Sequence, residues 1–209
     1  MNAFPSLWRK CRRATLVFAC TWLTIVPAMG DTPSAQTRLP GDSIYQTHAS
    51  MTNQDGQVFK LEERRGTPVL VSMFYNTCKF VCPMLIDTMV MTEQGLTPAE
   101  KRQLSMLLVT FDPAHDNVAV LKSVATTREL DPTRWTLART DPASVRKIAA
   151  TLGIQYRLLP DGEYNHTTVL VLLDAQGRIV GRTQKIGTPD QDFIRLVKQT
   201  IQSNPKPAS

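Results

Sequence analysis

The chain has 209 residues, 42% of them hydrophobic and 20% charged, which suits one domain with a real core and excludes a wholly disordered or polytopic membrane chain. The formal charge of +6 and the four cysteines leave nucleic-acid binding and a zinc cage open until their positions are read.

Both features thin out at the N-terminus. Arg9, Lys10, Arg12 and Arg13 precede an uncharged, mostly apolar run from Ala14 to Gly30, and Ala28 and Gly30 are spaced like a signal-peptidase site. This pattern predicts a secretory leader over residues 1–30, cleaved after Gly30, and an exported, periplasmic domain. Retention of residues 14–30 as an inner-membrane anchor is the second reading, although the run is shorter than the roughly 20 apolar residues of a typical span. Setting aside residues 1–30, with four basic and no acidic side chains, leaves 20 basic against 18 acidic residues, a net +2. No basic run longer than a pair such as Arg64-Arg65 or Lys101-Arg102 remains, so nucleic-acid binding loses its support. Cys11 and Cys20 also fall in the leader, which leaves Cys78 and Cys82 and excludes a zinc ribbon held by four cysteines of one chain.

Residues 31–42, with Pro33, Pro40 and Gly41, read as a linker. Ser43–Thr52 and Gln57–Leu61 flank Asp55-Gly56, a hairpin-turn signal. Val69–Tyr75 is a short apolar run that fits a strand buried on both faces. A helix follows the cysteine pair, with Pro83 in its first turn and Gly95 as its stop. Thr97-Pro98-Ala99-Glu100 is a capping box that opens a short helix. Leu104–Phe111 reads as a second buried strand, and Asp116 is predicted to cap a helix to about Leu130. A strand at Arg134–Ala138 and a helix from Asp141-Pro142 to Gly153 come next. Ile154–Leu159 is extended before the Asp161-Gly162 turn, and Thr167–Leu173 with Arg178–Thr183 predicts a hairpin. Thr188-Pro189 opens a last helix with Phe193, Ile194, Val197 and Ile201 on one face, and residues 204–209 form a tail. The domain over 43–203 is therefore α/β with three layers: a mixed central sheet, helices on both faces and an N-terminal hairpin.

The cysteines follow the first central strand at its carboxyl end, where open α/β sheets build their sites. Three residues separate Cys78 from Cys82. Four positions apart on a helix, Cβ atoms stand roughly 5–6 Å apart, whereas a disulfide needs roughly 3.5–4.5 Å. An ideal turn would have to distort to oxidise, and a metal between two thiolates relaxes that constraint. The helix amino end and Lys79 both favour a thiolate, which helps metal binding and thiol exchange equally. A closed soft-metal site needs a third ligand, and the candidates are His48, His115 and His166. His48 lies among polar residues; His115 follows the second buried strand, between Asp112 and Asp116; His166 precedes an apolar strand. Spacing does not rank His166 far above His115. Two sulfurs and one imidazole suit Cu(I). Zinc wants a fourth ligand, for which a second histidine or a carboxylate from Asp112 or Asp116 is available.

From about residue 41 to 203 the chain carries, in order, the strand at 69–75, Cys78-x-x-x-Cys82-Pro83, Val109-Thr110-Phe111-Asp112-Pro113 with Asp116, and His166 before the strand leading to Leu173-Asp174-x-x-Gly177-Arg178. In these motifs and their order it resembles the Sco/SenC family of thioredoxin-like copper proteins. It implies a thioredoxin-like fold and a copper site of Cys78, Cys82 and His166, for Cu(I) and also Cu(II), with Asp112 and Asp116 shaping the site. It further implies delivery of copper to the copper A centre of cytochrome c oxidase or a related respiratory copper enzyme. The alternative is an exported thiol–disulfide oxidoreductase in which Cys78 and Cys82 form the redox pair, the target cysteines are reduced, and a periplasmic thiol reductant is a second partner. Lys79 stands where the family commonly has proline, Asn165 where it often has aspartate, and Tyr75-Asn76-Thr77 where it has Gly-Tyr-Thr.

Overall fold

The computed structural model describes residues 38–204; the leader with Cys11 and Cys20, most of the linker and the end of the tail lie outside the described residues. Among the described residues, no helix is long and apolar enough to cross a membrane.

The chain enters through a 3-10 turn, Ile44–Thr47, where a strand is predicted. The reason is local: the Ser43 hydroxyl oxygen accepts the Tyr45 N–H at 3.2 Å while the hydroxyl donates to the Gln176 carbonyl at 2.6 Å. Only then does β1 (Ser50–Asn53) begin, paired antiparallel with β2 (Val58–Lys60). The predicted turn is present between them. The Asn53 side chain accepts the backbone N–H groups of Asp55 and Gln57, and Gly56 takes φ +77°.

The centre is β3 (Val69–Phe74), β4 (Ser105–Thr110) and β5 (Trp135–Arg139), mutually parallel. Every residue of β3 is buried, odd and even alike, so both faces of the sheet are covered. β8 (Leu170–Leu173) lies antiparallel to β3 on one side and β9 (Ile179–Thr183) lies beyond it. The sheet is seven-stranded and mixed, in the order β2-β1-β5-β4-β3-β8-β9. Gly177, in the β8–β9 turn, has φ +77°, and a Cβ there would stand 2.6 Å from the Tyr45 ring.

The helices are α1 (Val81–Gln94), α2 (Pro98–Lys101), α3 (Val118–Thr127), α4 (Pro142–Leu152) and α5 (Gln191–Gln202). The capping box of α2 and the Asp141 cap of α4 are those predicted, and Phe193, Ile194, Val197 and Ile201 form the buried face of α5. Two caps move. Asn117, not Asp116, caps α3 by accepting the Val120 N–H, because Asp116 is buried and engaged elsewhere. Asp190, not Thr188, caps α5. α1 is fixed against β5 by Glu93, which accepts from Arg134 Nε at 2.6 Å and Trp135 Nε1 at 3.1 Å. A small separate hairpin, β6 (Tyr156–Leu158) with β7 (Tyr164–His166), turns at Asp161-Gly162 and pairs only with itself among the described residues.

Candidate metal centre

Cys78, Cys82 and His166 converge: one ligand atom from each lies within 4.8 Å of the others. Three different elements bring them there. Cys78 sits in the loop after β3, Cys82 in the first turn of α1, and His166 at the end of β7. Because α1 begins only at Val81, Cys78 precedes the helix, and the two sulfurs are not stacked on one helical face. Instead, the Cys82 N–H donates to Cys78 Sγ at 3.3 Å. The first turn of a helix has N–H groups without intrahelical partners, and this sulfur satisfies one of them. Both cysteines are free thiols.

The two thiols differ electrostatically. Burial works against a Cys78 thiolate, but the Cys82 N–H, the Cys82 thiol and the Phe80 backbone more than offset it and draw the Cys78 pKa below that of an ordinary thiol. Lys79 is exposed and is not among the main causes. Cys82 goes the other way: burial pushes its pKa well up, and the neighbouring Cys78 adds to that. Burial also lowers the His166 pKa, which favours neutral imidazole. His166 Nδ1 faces the Thr167 carbonyl at 3.2 Å; a carbonyl only accepts, so the proton belongs on Nδ1. That leaves Nε2, 4.0 Å from Cys82 Sγ, with its lone pair free, as a ligand needs.

Alternation along β7 puts Tyr164 and His166 on one face, and Tyr156 is the cross-strand partner of His166. That face meets Phe111 and Tyr75. The His166 ring lies 4.9 Å from Phe111 and 5.9 Å from Tyr75 between centroids. Asn165 points away and is exposed. The other histidines take no part. His48 is exposed in the αL conformation after the 3-10 turn, 3.5 Å from Glu62. His115 is exposed and bound to Asp112 at 2.8 Å.

Asp116 braces the cysteine loop from the end of β4, whereas Asp112 holds the turn after that strand. Asp116 is buried; its Oδ2 accepts from the Thr110 hydroxyl and, at 3.1 Å, from the Asn76 backbone N–H. It thereby ties the end of β4 to the loop that carries Cys78. Burial raises the Asp116 pKa, with those two hydrogen bonds opposing. Asp112 donates its backbone N–H to Thr110 Oγ1 at 3.0 Å while its carboxylate engages His115. Residues that sequence reasoning passes over are Tyr75, Glu163 and the aromatic set of Phe111, Tyr156 and Tyr164. Tyr75 and Phe111 stand within the motifs around Cys78 and Asp112, whereas for Tyr156, Glu163 and Tyr164 the signal is the alternation of Tyr164 with His166, which has no meaning until the hairpin is placed. A cleft of ≈ 200 Å³, lined in part by Tyr75, Cys78, Cys82, Val124 and Arg128, opens beside the thiols, and the exposed Phe80 and Met84 lie in the same stretch of chain.

This arrangement offers two soft sulfur donors and one imidazole in a partly desolvated setting, a donor set suited to Cu(I) and one ligand short of a closed zinc site. Comparison with known proteins agrees with the architecture. Bradyrhizobium japonicum ScoI with copper bound superposes with a TM-score of 0.59 at 23% identity, covering 73% of this chain and 96% of that one. Yeast Sco1 with copper bound gives a TM-score of 0.62 at 17% identity, covering 74% and 87%. BsSco, described as having a disulfide switch and as a member of the Sco family of cytochrome c oxidase assembly proteins, gives 0.62 at 21%, covering 73% and 91%. At these identities the likeness establishes the thioredoxin-like fold. No curated protein sequence matches the chain. The family model described as SCO1/SenC matches residues 38–202, and the chain belongs to the SCO1/SenC family.

Proposed function

We propose that this protein binds copper through Cys78, Cys82 and His166 and passes it to the copper A centre of cytochrome c oxidase or a related respiratory copper enzyme. The observation that carries the reading is the convergence of two free thiols and one histidine from three separate elements. Solved relatives described with copper bound, and one described as belonging to a family of oxidase assembly proteins, support it. Copper is cargo here. Two thiolates and a neutral imidazole hold Cu(I) firmly, while a three-ligand site leaves an approach for an incoming thiolate of the acceptor. The N-terminal leader pattern supports work outside the cytoplasm, in the periplasm, where a copper enzyme of the respiratory membrane is within reach.

The asymmetry of the thiols favours a second reading, reduction of the acceptor's cysteines. The Cys78 thiolate attacks an acceptor disulfide to give a mixed disulfide and releases one acceptor thiolate. Cys82 then attacks Cys78 Sγ, freeing the second acceptor thiolate and leaving a Cys78–Cys82 disulfide that a thiol reductant must restore.

The deciding measurement is a competition titration of the reduced exported fragment with Cu(I). One Cu(I) per chain is expected, with sulfur and nitrogen ligands by X-ray absorption. His166→Ala is expected to lose more than the roughly ten- to hundredfold that removing an outer partner of a metal ligand costs. Unchanged affinity in that variant removes His166 from the site. Absence of Cu(I) binding together with turnover on protein disulfides gives the second reading precedence.

A further inference from the structure

We propose that Tyr75 is a positioning residue for the third ligand: its hydroxyl ties the β6–β7 hairpin to the end of β3 and so fixes where His166 stands relative to the two thiols. The tie is a property of the metal-free chain; its functional meaning rests on the copper reading above.

The hairpin has little else to hold it. β6 and β7 pair with each other and lie outside the seven-stranded sheet. Among the described residues, the Tyr75 hydroxyl makes two hydrogen bonds from the β3 side to residues 156–166; otherwise His166 meets Cys82 and its chain neighbour Thr167, and the Tyr164 hydroxyl faces the Asp112 carboxylate. That hydroxyl donates to Glu163 Oε2 at 2.6 Å and accepts the Tyr164 N–H at 3.3 Å, so its donor and one acceptor position are both used on the hairpin. A hydrogen bond to a carboxylate from a buried hydroxyl is among the stronger kinds. Tyr75 itself cannot drift: it follows the fully buried β3, is 3% exposed, and packs its ring on Phe111 at 5.2 Å and Tyr164 at 5.0 Å. It also stands three residues before Cys78, as Glu163 stands three before His166. One hydrogen bond therefore joins the segment that supplies the first thiol to the segment that supplies the imidazole. Most of the remaining contacts of the hairpin are aromatic faces, which resist separation but tolerate sliding.

The test uses Tyr75→Phe, which keeps the ring and removes only the oxygen. Glu163→Ala breaks the same bond from the half-buried hairpin side and serves if the first variant folds poorly. In the metal-free protein, amide exchange at Tyr164, Asn165 and His166 is expected to rise about tenfold while exchange in β3 and β4 stays the same. Cu(I) affinity is expected to fall about ten- to hundredfold, with Glu163→Gln, which retains an acceptor, closer to the wild type than Glu163→Ala. In a His166→Ala background, Tyr75→Phe is expected to cause no further loss, since a residue that acts by placing His166 has nothing left to place. Unchanged exchange in Tyr75→Phe overturns the tie. Faster exchange with unchanged Cu(I) affinity, or an undiminished loss in the His166→Ala background, overturns the positioning role. A wild type that binds no Cu(I) sinks the copper reading, and the exchange measurement still decides the tie.

Discussion

The parallel core of β3, β4 and β5 and the β6–β7 hairpin are held in opposite ways, and the candidate centre draws on both. The core strands are buried on both faces and hydrogen-bonded to neighbours on both edges. The hairpin is half-exposed, with its own two strands for a sheet and a set of aromatic faces and a few polar contacts, the Tyr75 hydroxyl foremost, as its attachment. Cys78 and Cys82 belong to the first region and His166 to the second. The thiols are thus placed by the loop and helix that follow the central strand, while the imidazole is placed by a smaller number of contacts on a separate hairpin. Under the proposed transfer of copper, a fixed pair of ligands and a third one on a lightly held arm would let the ion be gripped and then released.

The difference can be broken at its strong end first. Leu108→Ala, at a fully buried position of β4, should lower the global unfolding free energy by about 2–5 kcal/mol in urea titrations followed by far-UV circular dichroism. A change under about 1 kcal/mol would mean the core is less tightly packed than the structure shows.

A smaller effect concerns the loop that links core to thiols. Asp116 has a raised pKa in the fold, so the native state holds its proton more tightly than the unfolded chain does. Its carboxylate therefore weighs against the folded state at neutral pH, and that penalty disappears as pH falls through the raised folded pKa toward the unfolded value of about 3.9. Asp116→Asn retains one oxygen to accept from Thr110 and Asn76 and removes the titration. The stability of this variant relative to the wild type should rise with pH across that window in denaturation series, and a flat difference would show that the raised pKa has no energetic consequence.

At the weak end, Leu158→Ala on β6 removes a side chain that is 58% exposed and should change global stability by no more than about 0.5 kcal/mol. A loss comparable to that of Leu108→Ala would show that the hairpin folds as part of the core.

How much of this was legible beforehand follows the same division. Val69–Phe74 and Ser105–Thr110 announced themselves as buried strands because an unbroken apolar run needs cover on both sides, and the capping box at Thr97 and the Asp141-Pro142 start carry their own hydrogen-bonding logic. Local sequence pattern misleads where a polar side chain has a distant partner. Asp116 looks like a helix cap in sequence, and becomes a buried brace only because the loop at Asn76 comes to lie beside it. Ser43 likewise turns its segment into a 3-10 turn by reaching Gln176.

The sequence by itself determined the α/β plan, the two thiols at the carboxyl end of a central strand, and a short set of histidines. These are local matters of periodicity, turn chemistry and residue count. Spacing left His166 close to His115 until the family resemblance singled it out, and only the tertiary structure brought its ring to the thiols, made Cys78 and Cys82 unequal, and assigned Tyr75 and Glu163 to each other. The Tyr75–Glu163 and Cys82–His166 contacts join residues 88 and 84 positions apart, and the thiol asymmetry turns on burial and on the Cys82 N–H meeting Cys78 Sγ; no spacing rule encodes these, and only the packing of strands, helix and hairpin establishes them.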